Sequence, residues 1–341
     1  MSSETNSVTS SLNRALLYLL DDNPVIYCAA NGSRRKVKSI VLGNSEIVSS
    51  RLVYGCMRIC GDNSRKDREA GKAALRAAVE AGYTHFDHAD IYAGGNAESL
   101  FSEVLDETPG LRAKLLITSK CGIRLLNQPS EGLPKRYDFS RDYILSSVKA
   151  SLQRLGIDCL DLLLLHRPDY LLNAEDVAGT FRILKESGLV ANFGVSNFSP
   201  SQFALLQSYS DEKLLVNQVE INIDNISAIT DGTLDQCQRL KVTPMAWCPL
   251  GGVVYPAWGG TLAKEQSNRI QAELASQSAK YQAEPWIVIL AWLLKHPAEI
   301  APIIGSTQPS RIAAALRALE LDYTAEDWYR LLEARNGREV P

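Results

Sequence analysis

The chain carries almost no excess charge: 36 basic residues stand against 39 acidic ones, a net of −3. Nucleic acid is therefore not an expected partner, because phosphate binding draws on a surplus of positive charge. Long apolar runs are also missing. The longest near the N-terminus, 15–20, is too short to cross a bilayer, and Asp21 and Asp22 follow it directly. Only Arg14 precedes it as a basic flank, so neither a membrane role nor a secretory leader is expected, and the Ser/Thr-rich start leaves an organelle-targeting sequence as the minor alternative. The seven cysteines are odd in number and contain no C-x-x-C, which argues against a disulfide framework or zinc site and for reduced thiols in the cytoplasm. Only four histidines occur, His85, His88, His166 and His296, and none shows convincing ligand spacing, so no metal is expected. Low-complexity linkers and short internal repeats are absent.

What is present is a 341-residue chain, 45% hydrophobic, with enough apolar material for a sizeable core. Residues 1–36 read as a flexible extension with a short helix at 11–20 and a basic cluster, Arg34-Arg35-Lys36, on a solvated loop. Two β-rich runs, 37–42 and 47–54, flank Gly43-Asn44 and predict a hairpin. From residue 52 onward short apolar runs alternate with amphipathic stretches of helical length. Strands are predicted at 52–57, 85–88, 115–119, 160–166, 191–196, 214–220, 243–247 and 301–304. Helices are predicted at 67–81, 98–106, 141–155, 174–187, 200–208, 234–240 and 310–319. The 141–155 stretch aligns Ile144, Val148, Ser151, Leu152 and Leu155 on one stripe. Eight such units with no composition break predict an α/β fold, a single (β/α)8 TIM barrel over 37–341 with an N-terminal β-hairpin. Additional segments are expected at 251–264, at a helix 285–296 and at 324–341, so extra helices fall near the C-terminus. An open doubly wound sheet is the alternative, but its G-x-G-x-x-G is missing after the first strand, where Gly55-Cys56-Met57-Arg58 stands.

In a barrel of this kind, chemistry sits at the C-terminal ends of the strands. There the sequence places Asp87 and Tyr92 at the end of the second strand, Lys120 at the end of the third and His166 at the end of the fourth. One ionisable group at a strand end is usually structural; four of complementary chemistry at three successive ends point to a site. A free tyrosine, with a pKa of about 10, is a poor acid near neutrality. A neighbouring ammonium held by Asp87 is expected to lower that value, so that Tyr92 protonates a carbonyl oxygen while His166 orients it.

The segment Phe86-Asp87-His88-Ala89-Asp90-Ile91-Tyr92, the Ser119-Lys120-Cys121-Gly122-Ile123 strand end and Leu165-His166-Arg167-Pro168-Asp169 together resemble the aldo-keto reductase superfamily, most nearly its bacterial-type oxidoreductase branch. The resemblance covers roughly 37–330. It implies a catalytic tetrad of Asp87, Tyr92, Lys120 and His166. It also implies NADP(H) as cofactor. Ser196 and Asn197, in Phe193-Gly194-Val195-Ser196-Asn197-Phe198, and Gln218 would hold the nicotinamide carboxamide, which offers donors and an acceptor. Trp247 stands where the family usually has a stacked tyrosine, although by its residue type alone it reads as a core aromatic. Gly305, Ser306, Thr307 and Arg311 would face the adenine-side phosphates near a helix start at Pro309, with Arg311 suited to a 2′-phosphate and otherwise an ordinary surface arginine. Gly55, Met57, Pro249 and Leu250 complete the expected cofactor set. Three departures weaken the adenine end or alter the ring site: Gly305 replaces a frequent lysine, Ala314 and Ala315 replace a Glu-Asn pair, and Trp247 replaces tyrosine.

The implied function is NADPH-dependent reduction of aldehydes or ketones to alcohols, with a small-molecule carbonyl substrate as partner. The alternative is a nucleotide-sensing regulatory subunit, like the potassium-channel β-subunits that resemble this family, with 1–36 binding the partner. A hydrolase using Asp87 and Glu220 leaves Tyr92, Lys120 and Ser196-Asn197 without a role. Substrate choice is expected from the loops 122–138 and 251–264 and from the C-terminal stretch, where Tyr137, Tyr255, Trp258 and Trp328 predict a partly aromatic pocket. The oligomeric state is left open, a monomer being compatible. Cys121 is expected to be a buried, inert thiol.

Overall fold

A computed structural model of the chain describes residues 25–30, 33–254 and 262–341. The helix expected at 11–20, together with Tyr255 and Trp258, lies outside the described residues. Eight parallel strands form a closed barrel: β1 (Val53–Gly55), β2 (His85–Asp87), β3 (Leu116–Cys121), β4 (Leu162–Leu165), β5 (Phe193–Ser196), β6 (Leu214–Glu220), β7 (Thr243–Trp247) and β8 (Ala301–Ile304). Each strand pairs with its sequence neighbours, and Ile303 and Ile304 of β8 pair with Val53 and Tyr54 of β1 to close the ring. The alternation along β4 explains why its sequence is apolar throughout. Leu162 and Leu164 join Val53, Val216, Met245, Ala301 and Ile303 in one cluster, while Leu163 and Leu165 pack in the larger cluster that contains the surrounding helices. A strand buried on both faces has no polar side to show.

The predicted hairpin forms between Ser33–Val41 and Val48–Ser50, with Ile40 opposite Ser49. The expected 47–54 strand is two strands, because only Val53–Gly55 enters the barrel. Strand Ser33–Val41 crosses the 36/37 boundary drawn from composition, and Val25–Ala30 pairs antiparallel with it. Ile40 and Leu42 pack on Leu116 at the start of β3, and Gly43 N–H donates to Thr243 Oγ1 at 2.8 Å. Gly43 takes φ +54, and a Cβ there would lie 2.6 Å from the Leu215 carbonyl oxygen, so the turn accepts only glycine.

The strand-joining helices include α1 (Arg65–Ala81), α2 (Asn96–Glu107), α3 (Arg141–Leu155), α4 (Ala174–Glu186) and α5 (Pro200–Tyr209). The stripe predicted on α3 is buried in full. The stretch predicted as one helix at 310–319 is Pro309–Ala314 followed by a tighter turn, Ala315–Leu319. One assignment is corrected. Pro285–Leu294, expected to be the additional helix, is the inner one: every residue from Trp286 to Leu293 is buried. Exposing half of these side chains would cost on the order of 10 kcal/mol. The polar helix Lys264–Tyr281 is the outer addition and packs with the C-terminal helix Ala325–Asn336. Their junction centres on buried Asp327, whose carboxylate accepts from Lys280, Tyr281 and Arg330. Trp328 belongs to this outer layer. Its ring stacks on Trp292 with centroids 5.2 Å apart, so it takes no part in a substrate pocket.

Candidate active site

Parallel pairing brings the four predicted catalytic side chains to one end of the barrel. Asp87 ends β2 in register with Thr118 of β3, two residues before Lys120, and His166 follows β4 with its N–H on the Cys121 carbonyl. Tyr92 sits in a tight turn, Tyr92–Gly95, in which Ala93 and Gly94 take φ of +49 and +63. Lys120 is fully buried. Its ammonium donates to Asp87 Oδ2 at 2.7 Å, to the His88 carbonyl at 2.8 Å and to Tyr92 Oη at 3.1 Å. All three ammonium protons are thereby used. The His166 ring meets the Tyr92 ring edge-on at 6.0 Å, and its Nδ1 is buried without a partner.

The electrostatics differ from expectation in one respect. Burial raises the Tyr92 phenol above its usual value; the Lys120 ammonium pulls it down but does not prevail. Tyr92 is therefore a neutral phenol that keeps its proton, rather than one poised to lose it. Burial pulls Lys120 down, but the Asp87 and Tyr92 interactions outweigh this and hold the ammonium above its usual value. Burial, reinforced by the charge of Lys120, keeps His166 neutral at physiological pH. His88 is fully buried, is pushed down to about 3 by burial and by the Lys120 charge, and packs on Phe101. Cys121 is buried and its thiol is pushed up by burial, as expected of an inert cysteine.

Asp87, Tyr92 and His166 open onto a cavity of about 500 Å³, with Lys120 beneath them. Of the expected cofactor residues, Gly55, Met57, Ser196, Asn197, Gln218 and Trp247 line this cavity. Leu250, Ser306, Thr307 and Arg311 line an adjoining one of about 180 Å³. Pro249 and Gly305 border both. A Cβ added at Gly305 meets no protein atom within 4 Å, so the two cavities run together there.

The polar row along the larger cavity is internally bonded. Gln218 Nε2 donates to Asp87 Oδ1 at 2.8 Å, Ser196 Oγ donates to the Gln218 carbonyl at 2.8 Å, and Asn197 Nδ2 donates to Ser196 Oγ at 2.8 Å. Asn197 Nδ2 also reaches the His166 carbonyl, and the Trp247 indole N–H donates to Asn197 Oδ1 at 2.9 Å. Asn197 holds φ +62, a conformation that asparagine tolerates better than most residues. A second lone pair on Asn197 Oδ1, the Gln218 amide oxygen and its second N–H complement a carboxamide.

Three charged cavity residues escape the expected site set: Arg58, Lys135 and Arg167. Arg167 follows His166 directly and Arg58 follows the Gly55-Cys56-Met57 strand end, so both carried a positional signal. Lys135 lies within the 122–138 loop expected to govern substrate choice, but nothing in the sequence singled it out from its loop neighbours. Tyr137, expected in the pocket, instead faces Tyr170 with ring centroids 6.2 Å apart. Beside the site, Asp90 is pushed up to about 7 by burial and by the nearby Glu98 carboxylate, while Arg154 opposes the rise. Glu98 itself is fully buried, accepting from Ser119 and Arg154.

Residues 51–336 match the Aldo/keto reductase family. Oxidoreductase YdhF of Escherichia coli (strain K12) is 43% identical over 86% of this chain and 95% of its own. A 6-dehydroglucose reductase of Agrobacterium fabrum is 40% identical over 85% of this chain and 96% of its own. The crystal structure of the thermostable aldo-keto reductase Tm1743, in complex with the inhibitor epalrestat, superposes with a TM-score of 0.74 at 26% identity, covering 87% of this chain and 99% of that one. Barrel, strand-end residues and relatives agree: the chain belongs to the Aldo/keto reductase family of oxidoreductases, whose members generally use NAD(P)H.

Proposed function

We propose that the chain is an NADPH-dependent reductase of aldehydes or ketones in which Tyr92 is the proton donor. The observation that carries this is the buried Lys120 ammonium spanning Asp87 and Tyr92 beneath an open cavity. When bound, the reduced nicotinamide supplies a hydride. The chain's residues do the rest. Tyr92, kept protonated by burial, gives its proton to the carbonyl oxygen as negative charge develops there. The phenolate left behind lies 3.1 Å from the Lys120 ammonium, which is already desolvated and held by Asp87. Neutral His166 orients the carbonyl oxygen by a hydrogen bond. Ser196, Asn197 and Gln218 hold the carboxamide, and Arg311 with Ser306 favours the 2′-phosphate of NADP over NAD.

Residues 1–36 are proposed as an extension outside the barrel domain. The test is Tyr92→Phe. Turnover of any aldehyde accepted by the parent is expected to fall by about 10²-fold or more, while NADPH binding, read by fluorescence titration, persists. Undiminished turnover overturns the assignment.

A further inference from the structure

The larger cavity is charged on one side of its chemistry. Its only acidic lining residue is Asp87, which is already paired with Lys120. Its other charged lining residues, Arg58, Lys135 and Arg167, are all cations. Arg58 also borders the smaller cavity and therefore lies toward the proposed nucleotide path. Lys135 and Arg167 border only the larger one. Neither makes an ion pair among the described residues.

The backbone at Lys135 and the side chain of Arg167 are both anchored. Lys135 directly precedes the short strand Arg136–Tyr137, which pairs antiparallel with Ile123–Arg124, and Arg124 is tied to Asp138 at 2.9 Å. The Arg167 guanidinium stands 5.4 Å from the Trp247 ring centre. A cation–π contact of this kind restrains the guanidinium but leaves its N–H edges available to an oxyanion. Beside Tyr92 and His166 the cavity thus presents a half-buried guanidinium and an exposed ammonium, with no carboxylate of the described residues paired to either.

We propose that the preferred carbonyl substrate carries a carboxylate, bound by Arg167 and Lys135 while its carbonyl faces Tyr92 and His166. This rests on the reductase reading above and deepens it into a substrate class. The planar guanidinium matches a carboxylate in two parallel hydrogen bonds, and Lys135 at the rim adds a point charge that draws anions in.

The test compares 4-carboxybenzaldehyde with 4-carbamoylbenzaldehyde, nearly the same shape without the charge, using NADPH and the full chain. The parent is expected to favour the carboxylate in kcat/KM by about tenfold or more, the worth of one charge-assisted hydrogen bond. Arg167→Met and Lys135→Met are each expected to shrink that ratio, mainly through KM. Lys135→Glu is expected to shrink it further, and Arg167→Lys to retain part of it. Added salt should lower the ratio in the parent. Melting temperatures of the variants establish that they fold. Equal efficiency on both aldehydes, or a ratio unmoved by all of these substitutions, overturns the charge assignment alone. Failure to reduce either aldehyde, or any other carbonyl, overturns the reductase reading and this proposal with it.

Discussion

Replacing Lys120 by methionine removes the ammonium with little change in side-chain length. At 3.1 Å from Tyr92 Oη, and at an effective dielectric near 20, that ammonium stabilises a phenolate by about 5 kcal/mol. The Asp87 carboxylate, 2.7 Å from the same nitrogen, offsets part of this. A net of roughly 2–4 kcal/mol remains, which corresponds to a roughly 30- to 1000-fold slower proton-coupled step. Single-turnover oxidation of NADPH by an accepted aldehyde measures it, and the solvent isotope effect should rise as proton transfer becomes more limiting. Methionine also strands Asp87 with Gln218 as its remaining donor, and breaking a buried pair in this way costs about 3–5 kcal/mol of stability. The double variant Asp87→Asn/Lys120→Met removes the stranded charge. It should regain much of the lost stability and stay slow. A single variant within threefold of the parent rate, or a double variant restored to it, refutes the role given to the ammonium.

Two further outcomes concern stability. Because the folded Asp90 carboxyl titrates at about 7, above its unfolded value near 3.9, its contribution is complete below pH 4 and is lost as pH rises through 7. Asp90→Asn should therefore melt higher than the parent at pH 8, with the gap narrowing toward pH 5; a gap that does not vary with pH contradicts the assignment. Asp327 behaves in the opposite sense. Burial works against its ionised form, but Lys280 and Tyr281 outweigh it and hold the carboxyl below its usual range, so its contribution is present above about pH 4 and lost as pH falls. Asp327→Ala should cost roughly 1–2 kcal/mol at pH 7 by denaturant titration, with kcat unchanged because the residue clamps two outer helices away from the site.

Much of the barrel was legible because its strands are buried on both faces. The strands at 214–220, 243–247 and 301–304 were readable to the residue. Others were predicted too long or displaced by a few residues, since buried apolar side chains continue beyond the strand ends, as at Leu160. The order of the helices after β7 was misread for a physical reason. Trp286–Leu293 is apolar on all sides, the signature of a helix enclosed by protein, whereas 264–281 shows polar faces that suit an outer position. The clustering of Asp87, Tyr92, Lys120 and His166 was legible because they lie at or just after the ends of short strands, where sequence position fixes spatial position. The direction of the Tyr92 shift was not, because it depends on the balance between burial of the phenol and the Lys120 charge, which only the fold sets.

The indole N–H of Trp247 bonded to Asn197 has a consequence beyond holding a ring. An asparagine amide can turn end for end with little change in shape, exchanging its donor for its acceptor. The indole can only donate, so it admits only the orientation with the oxygen toward it, and the Asn197 N–H groups are committed to Ser196 and His166. A tyrosine ring at position 247 has no N–H with which to impose that choice. The tryptophan thus settles in advance that Asn197 shows this edge of the cavity an acceptor and no donor, and the entropy of that choice is spent in folding rather than at each binding event.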